Sequence, residues 1–290
     1  MLEKLKLVFL PITAPVRFIQ RNFKTVVFLT IVISMVWQSD EKSLTSANLQ
    51  NIQLFGPIIT ASEVLEKIEE AKNSENIKGV LFEINSPGGA VAPSVEIAYA
   101  IKELKKIKPV VAYASGVMAS GSYYSAIWAD KIIANPGSIV GSIGVIINGM
   151  DTKELLDKIG IKPQTLQTGA YKSIGTAFRP WSDMEKKELR KVIDDTYDMF
   201  VYDVTSARKL KKQNHRTFAN GHIFTALQAK NVGLIDKVAT ISVAKKELQT
   251  LSKIKNPVWK KQDKFDKFMD SLESKFYGIV QSKAIELQAY

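Results

Sequence analysis

Two stretches of small residues follow apolar runs directly, and each can present reactive groups. The first is Asn85-Ser86-Pro87-Gly88-Gly89-Ala90, at the end of Lys78–Asn85 (KGVLFEIN). Glycines there let backbone N–H groups approach a ligand closely, and the start of a following helix favours negative charge. Such a turn serves as an anion site or an oxyanion hole, or as a plain strand-to-helix connection. It is not a P-loop, because the Gly-Lys-Ser/Thr ending is missing. The second is Met118-Ala119-Ser120-Gly121-Ser122-Tyr123-Tyr124, after Pro109–Ala114 (PVVAYA). A turn of this kind raises a serine hydroxyl at the tip of a strand, as nucleophile elbows do, although Gly-x-Ser-x-Gly is absent. On spacing alone, Ser120 fits a helix N-cap as well as a nucleophile.

A serine nucleophile needs a base within hydrogen-bond reach. The chain has two histidines, His215 and His222, and no cysteine. Thiolate nucleophiles, disulfides, Cys-bound zinc and iron–sulfur clusters are therefore excluded. Two histidines also argue against a multi-His metal site, and neither a metal nor a cofactor is expected. The other base available is a neutral lysine. A free ammonium is a poor base near neutral pH, but burial in apolar surroundings disfavours its charged form. Lys172 stands in Thr168–Gly175 (TGAYKSIG), which continues to Phe178-Arg179-Pro180. A lone loop lysine is ordinarily solvated, yet the small and apolar flanks here permit desolvation.

The surrounding elements alternate. Strands are expected over Leu49–Ile59, Lys78–Asn85, Pro109–Ala114, Lys131–Ala134 and Ile143–Ile147, with Lys162–Gln167 extended. Helices are expected from Ser62 as N-cap to Lys72, and over Val91–Ile107, Ala119–Ala129, Thr152–Ile159 and Asp183–Lys212. Strands alternating with helices argue for βαβ units and a largely parallel sheet, an α/β fold.

The ends differ from this middle. Thr25–Trp37 (TVVFLTIVISMVW) is 13 residues without a charge, preceded by Lys4, Lys6, Arg17, Arg21 and Lys24 and followed by Asp40 and Glu41. A basic flank, an apolar run and an acidic exit predict a short uncleaved signal anchor with the rest of the chain outside. From Pro257 the tail is basic. Its Phe265, Phe268, Met269, Leu272 and Phe276 fall on one helical face, which suits packing on the domain, a membrane surface or a partner. The expected organisation is a basic segment and anchor over 1–40, a catalytic domain over 41–252 and an amphipathic tail over 253–290.

Together these stretches resemble the bacterial signal peptide peptidases of the SppA kind. The match rests on Ser86-Pro87-Gly88-Gly89, Ala119–Tyr124, Ile139–Val145 (IVGSIGV), Tyr171–Gly175 (YKSIG), Arg179-Pro180 and Gly233-Leu234-Ile235-Asp236. The resemblance implies a Clp-protease/crotonase-like fold of repeated ββα units, with an N-terminal anchor helix and a C-terminal amphipathic helix. It implies Ser120 as nucleophile, Lys172 as general base and Ser142 as the hydroxyl orienting the amine. Gly88, with Gly89 or Gly121, would supply the oxyanion hole. The implied activity is endopeptidase cleavage of signal peptides left in the membrane, through an acyl-enzyme. The implied setting is a bacterial inner membrane, single-pass, with the catalytic domain on the periplasmic side and neighbouring subunits closing a ring. Two positions depart from the family. Ser122 stands where a second glycine is common, adding a hydroxymethyl group that is expected to alter substrate approach. His222 stands where arginine is common and is read as a structural replacement. His215, among Lys211, Lys212, Gln213 and Asn214, is expected to be solvated.

Two other classes are compatible with parts of the sequence. A crotonase-type coenzyme A enzyme shares the backbone oxyanion hole, but the anchor and the elbow-like serine speak against it. The third class is a non-catalytic scaffold or a nucleic-acid binder, which the net charge of +11 invites. The basic residues instead flank the apolar N-terminus and fill the tail, which fits anionic lipid better than nucleic acid.

Overall fold

The computed structural model describes residues 21–29 and 47–261. The chain divides into two compact units, Met1–Ser46 with Lys261–Tyr290, and Ala47–Lys260. In the first unit, the described residues 21–29 are helical, and the Val26 N–H donates to the Asn22 carbonyl at 2.8 Å. Among the described residues no helix is long and apolar enough to cross a membrane. Most of the expected anchor, Thr25–Trp37, lies outside the described residues, as does the tail face from Phe265 to Phe276.

The second unit is a mixed α/β fold. Its strands are β1 (Leu49–Phe55), β2 (Gly79–Ser86), β3 (Val110–Ala119), β4 (Lys131–Ala134), β5 (Ile139–Gly141), β6 (Ile223–Thr225) and β7 (Lys237–Val238). The sheet runs β1-β2-β3-β4-β7, with β5 also on β3 and β6 on β5. Every pairing is parallel except β5–β6. Parallel neighbours need crossovers, and α1 (Ser62–Asn73) and α2 (Val91–Lys105) supply the first two. The remaining helices are α3 (Gly121–Ala126), α4 (Lys153–Lys158), α5 (Asp183–Arg208), α6 (Ala226–Asn231) and α7 (Ile241–Leu251).

The two-residue period of the strands sorts the core into layers. Val80, Phe82 and Ile84 of β2 pack in one cluster with Ile68 of α1, Ile101 of α2 and Val204 of α5. Leu81, Val111, Tyr113 and Ile133 pack on the other side with Ala244 and Leu248 of α7. Covering both faces is why β2 and β3 read as near-continuous apolar runs.

β3 is the strand that forks. Its first half, Val111–Ala114, pairs with β4, and its second half, Val117–Ala119, pairs with β5. The register against β2 shifts between Ile84 and Ser86. The Asn85 side chain fills that irregularity, its Oδ1 accepting from the Val117 N–H at 2.9 Å. A Cβ on Gly116 would stand 2.4 Å from the same Oδ1, so a side chain there would displace the Asn85 amide.

Several expected boundaries move. Ala61, not Ser62, occupies the N-cap of α1 and makes no side-chain cap. α5 ends at Arg208 because Lys209 turns left-handed at φ 55°, and a 3-10 turn, Lys212–Thr217, follows. The strand expected over Ile143–Ile147 is not formed, since only Ile139–Gly141 finds a pairing partner. Lys162–Gln167 is exposed and pairs with no strand. No residue from 144 to 184 is buried, so this stretch forms an arm outside the core.

The unit closes on itself. The Asn48 Oδ1 accepts from the Val258 N–H at 2.9 Å, the Asn48 Nδ2 donates to the Asn256 carbonyl at 2.9 Å, and Leu49 bridges Trp259. At the far side, Arg208 forks onto Asp236, with Nη1–Oδ2 and Nη2–Oδ1 both 3.1 Å. Arg208 Nε also donates to the Gly233 carbonyl at 3.2 Å, while Asp236 accepts from the Ile132 N–H at 2.7 Å. This cluster ties α5 to β4 and β7. Lysine cannot reproduce the fork. Arg208→Lys is therefore expected to lower stability by about 1–3 kcal/mol, read as a lower urea midpoint at unchanged slope.

Candidate active site

Ser120 ends β3 and opens α3. Its backbone is at φ 54° and ψ −124°, a region that side chains rarely enter. It occupies the N-cap position of α3, yet its side chain caps nothing. Its N–H donates to the Gly141 carbonyl at 2.8 Å, and its own carbonyl accepts from the Tyr124 N–H at 3.0 Å. The backbone of the turn is thus satisfied while the hydroxyl has no partner among the described residues.

Gly88 backs this turn. A Cβ there would stand 2.7 Å from both the Ala119 carbonyl oxygen and the Gly121 nitrogen, and φ is +95°. The Gly88 N–H is already engaged, donating to Ser86 Oγ at 3.2 Å. Gly89 lies between the Gly88 carbonyl and the Ala90 N–H, which both bond Ile58, so its own N–H is turned away from Ile58. The N–H groups of Gly89 and Gly121 have no acceptor among the described residues. They stand on one wall beside Ser120, where a Cβ on Gly121 would come 3.4 Å from the Gly89 nitrogen. The free donors are therefore Gly89 and Gly121, and Gly88 contributes closeness.

Ser122 does not shape substrate approach as expected. It is fully buried, and its hydroxyl donates to the Ser86 carbonyl at 2.6 Å while accepting from the Ala119 N–H at 2.8 Å. It staples the tip of β2 to the tip of β3. Ser142 lies beside Ser120, because β5 pairs Gly141 with Ala119. It too is left-handed, at φ 52°, and its N–H donates to the His222 carbonyl at 2.7 Å. His222 thus serves through its backbone, with its ring exposed. His215 is half-buried rather than solvated, its Nδ1 lying 2.8 Å from the Lys212 carbonyl and its ring meeting Tyr197.

The structure brings Ser120, Ser142, Gly88, Gly89 and Gly121 together. Lys172 sits on the arm and is exposed in the single chain, and no hydrogen bond or ion pair joins its amine to another described residue. Its loop is pinned at nearby points. Arg179 forks onto Glu185 at 2.7 and 2.8 Å, and its Nη2 donates to Ser173 Oγ at 3.2 Å. Glu185 completes a capping box with Ser182 at the start of α5. The Arg179 guanidinium, then the Ser182 N–H, hold the Glu185 carboxyl down at about 2. Trp181 packs over Gly149 and donates to the Thr176 carbonyl at 2.9 Å.

A cleft of about 510 Å³, counting its open mouth, adjoins Ser120. Its walls include Val91, Val95, Tyr124, Ile146, Met199 and Phe200. It is mostly apolar, and it suits an uncharged side chain next to a bond held at Ser120. Among the described residues no group of three or more His, Asp or Glu could hold a metal ion.

The family model described as peptidase family S49 matches residues 102–255, which include Ser120, Ser142 and Lys172. The chain belongs to peptidase family S49. A Methanocaldococcus jannaschii protein provisionally named a protease is 42% identical over 66% of this chain and 61% of its own length. A Synechocystis protein with the same provisional name is 35% identical over 75% of this chain and 78% of its own. An Enterococcus faecium protein provisionally named signal peptide peptidase SppA is 32% identical over 71% of this chain and 58% of its own. The match thus spans less than two thirds of the archaeal and the Enterococcus protein. Family and relatives together support a peptidase of the serine class.

Sequence reasoning missed the walls that this S49 chain draws from α5. Thr196, Met199 and Phe200 line the cleft and are spaced i, i+3 and i+4 on one face of a helix, and Asp203 one turn on, an aspartate among apolar positions, is the signal that marked it.

Gly88→Ala is expected to cost more than about 2 kcal/mol and to slow fluorophosphonate labelling of Ser120. Gly160→Ala, with a similar positive φ but open space around it, should leave labelling unchanged. The second expectation concerns acid. The Glu185 carboxyl is lowered from 4.5 to about 2. Its stabilisation is therefore complete above 4.5 and is lost as pH falls towards 2. Pepsin cleavage within 169–181 should rise late in that window in the wild type. In Glu185→Gln it should already be high at pH 4.5.

Proposed function

We propose that this chain is a membrane-anchored serine endopeptidase with Ser120 as nucleophile and Lys172 as general base. The observation that carries the reading is Ser120 itself: an unengaged hydroxyl in a left-handed turn, beside two free N–H donors and an apolar cleft. Its Oγ attacks the peptide carbonyl carbon, and its proton passes to the neutral amine of Lys172. The oxyanion accepts from the Gly89 and Gly121 N–H groups. As the C–N bond breaks, Lys172 returns the proton to the leaving amine, which leaves an acyl-enzyme. Water, deprotonated by the same amine, attacks the ester and frees Ser120. Ser142 orients the amine. The fold would be of the Clp-protease/crotonase-like kind, with the fork in β3 carrying β5 and β6 off the main sheet.

Lysine becomes a base when burial disfavours its ammonium, and Lys172 is exposed in the single chain. We infer that a neighbouring copy covers the arm in a ring-like homo-oligomer. Support comes from the arm's apolar surface: Ile146 is 77% exposed, Met150 76% and Leu166 103%. The proposed substrates are signal peptides left in the membrane. The proposed setting is a bacterial inner membrane, with the catalytic domain on the outer side, as the basic-flanked Thr25–Trp37 run suggests.

Mass spectrometry after fluorophosphonate treatment should find the label on Ser120. Ser120→Ala, Lys172→Ala and Lys172→Arg should each reduce peptide hydrolysis by about 10³-fold or more while folding persists. Arginine keeps the charge but cannot act as a neutral base. Near wild-type turnover in either Lys172 variant would refute the dyad.

A further inference from the structure

One buried charge beside the cleft takes no part in the steps above. Asp203, on α5, is 4% exposed and makes no ion pair among the described residues. Its Oδ2 accepts the hydroxyl of Tyr124. Its charge also acts on Tyr99, whose hydroxyl it raises above the usual tyrosine range. A carboxylate buried without a cation depends on the donors that face it, because losing one leaves a charge unsatisfied.

Tyr124 is 2% exposed and follows Ser120 by one helical turn. Its ring meets Phe200 edge-on, with centroids 4.9 Å apart at 76°. Both residues line the cleft that adjoins Ser120. Phe200 and Asp203 are one turn apart on α5, so the ring is gripped twice by one helix, at its edge and at its hydroxyl. A bond to an ionised acceptor is stronger than a neutral one, and the ring can neither rise into the cleft nor sink from it without breaking that bond.

We propose that Asp203 is a positioning residue that fixes the depth of this cleft through the Tyr124 hydroxyl, and so sets a preference for aliphatic over aromatic side chains beside the scissile bond. This rests on the cleft serving the peptidase reaction proposed above.

The test uses the full chain in five forms: wild type, Tyr124→Phe, Asp203→Leu, their double variant and Asp203→Asn. Two readouts are taken. One is the ratio of dissociation constants for acetyl-Ala-Ala-Leu and acetyl-Ala-Ala-Phe, product-like peptides whose binding needs no turnover. The other is labelling of Ser120 by diisopropyl fluorophosphate, which carries no such side chain. Wild type should favour the leucine peptide. Tyr124→Phe and Asp203→Leu should each reduce that preference about tenfold, and the double variant no further, as expected of coupled residues. Asp203→Asn, which keeps an acceptor, should retain most of it. Labelling should stay within about twofold in Asp203→Leu and Asp203→Asn, which alter neither Ser120 nor a residue lining the cleft. The double variant leaves no buried charge without a donor, so it reports the ratio even where a single variant does not fold. An unchanged ratio in the double variant, additive losses, or labelling lost together with the ratio in Asp203→Leu would each overturn the proposal. Failure of wild type to label, with the ratios behaving as described, would refute the serine mechanism and leave the pocket assignment standing.

Discussion

The site depends on one strained residue. A serine at φ 54° costs of order 1–3 kcal/mol and persists only where its surroundings leave no alternative. Here the surroundings are backbone. Gly88 presses against the turn from behind, the Gly141 carbonyl holds the Ser120 N–H, and the buried Ser122 hydroxyl locks the tips of β2 and β3. The hydroxyl of Ser120 has no hydrogen-bond partner among the described residues. The fork in β3 follows from the same requirement. By giving its first half to β4 and its second to β5, the strand sets Ser142 next to Ser120 and still stays anchored in the main sheet.

Much of this was legible from residue order. The apolar runs at β2, β3 and β4, and the amphipathic stretch of α5, announced strands and a helix, because burial on two faces or on one stripe leaves a periodic trace. The small-residue turns at Gly88 and Ser120 were equally plain. What stayed hidden was set by contacts far apart in sequence. Ser122 reads as a hydroxymethyl group facing substrate until the Ser86 carbonyl is seen opposite it. Tyr124 and Asp203 meet across 79 positions. Ile143–Ile147 has the composition of a strand, but no second strand lies along it, and composition cannot supply one.

The turn at Ser120 and the arm that carries Lys172 are stabilised differently. Around Ser120, order comes from packing in a core of buried aliphatic and aromatic side chains. Around Lys172 no residue is buried, and order comes from the Arg179–Glu185 fork, the Trp181–Gly149 contact and the Thr152 bonds to Ala177. Salt and acid weaken the second kind of order well before the first.

The pairing of Asn48 with Val258 has a mechanical corollary. The first and last segments of the second unit leave from the same corner, joined side by side. Tension drawn through either extension loads that seam before it reaches the interior of the sheet. Pulling on either end would therefore break the Asn48 and Leu49 contacts with 256–259 before the parallel pairings of β2 with β3.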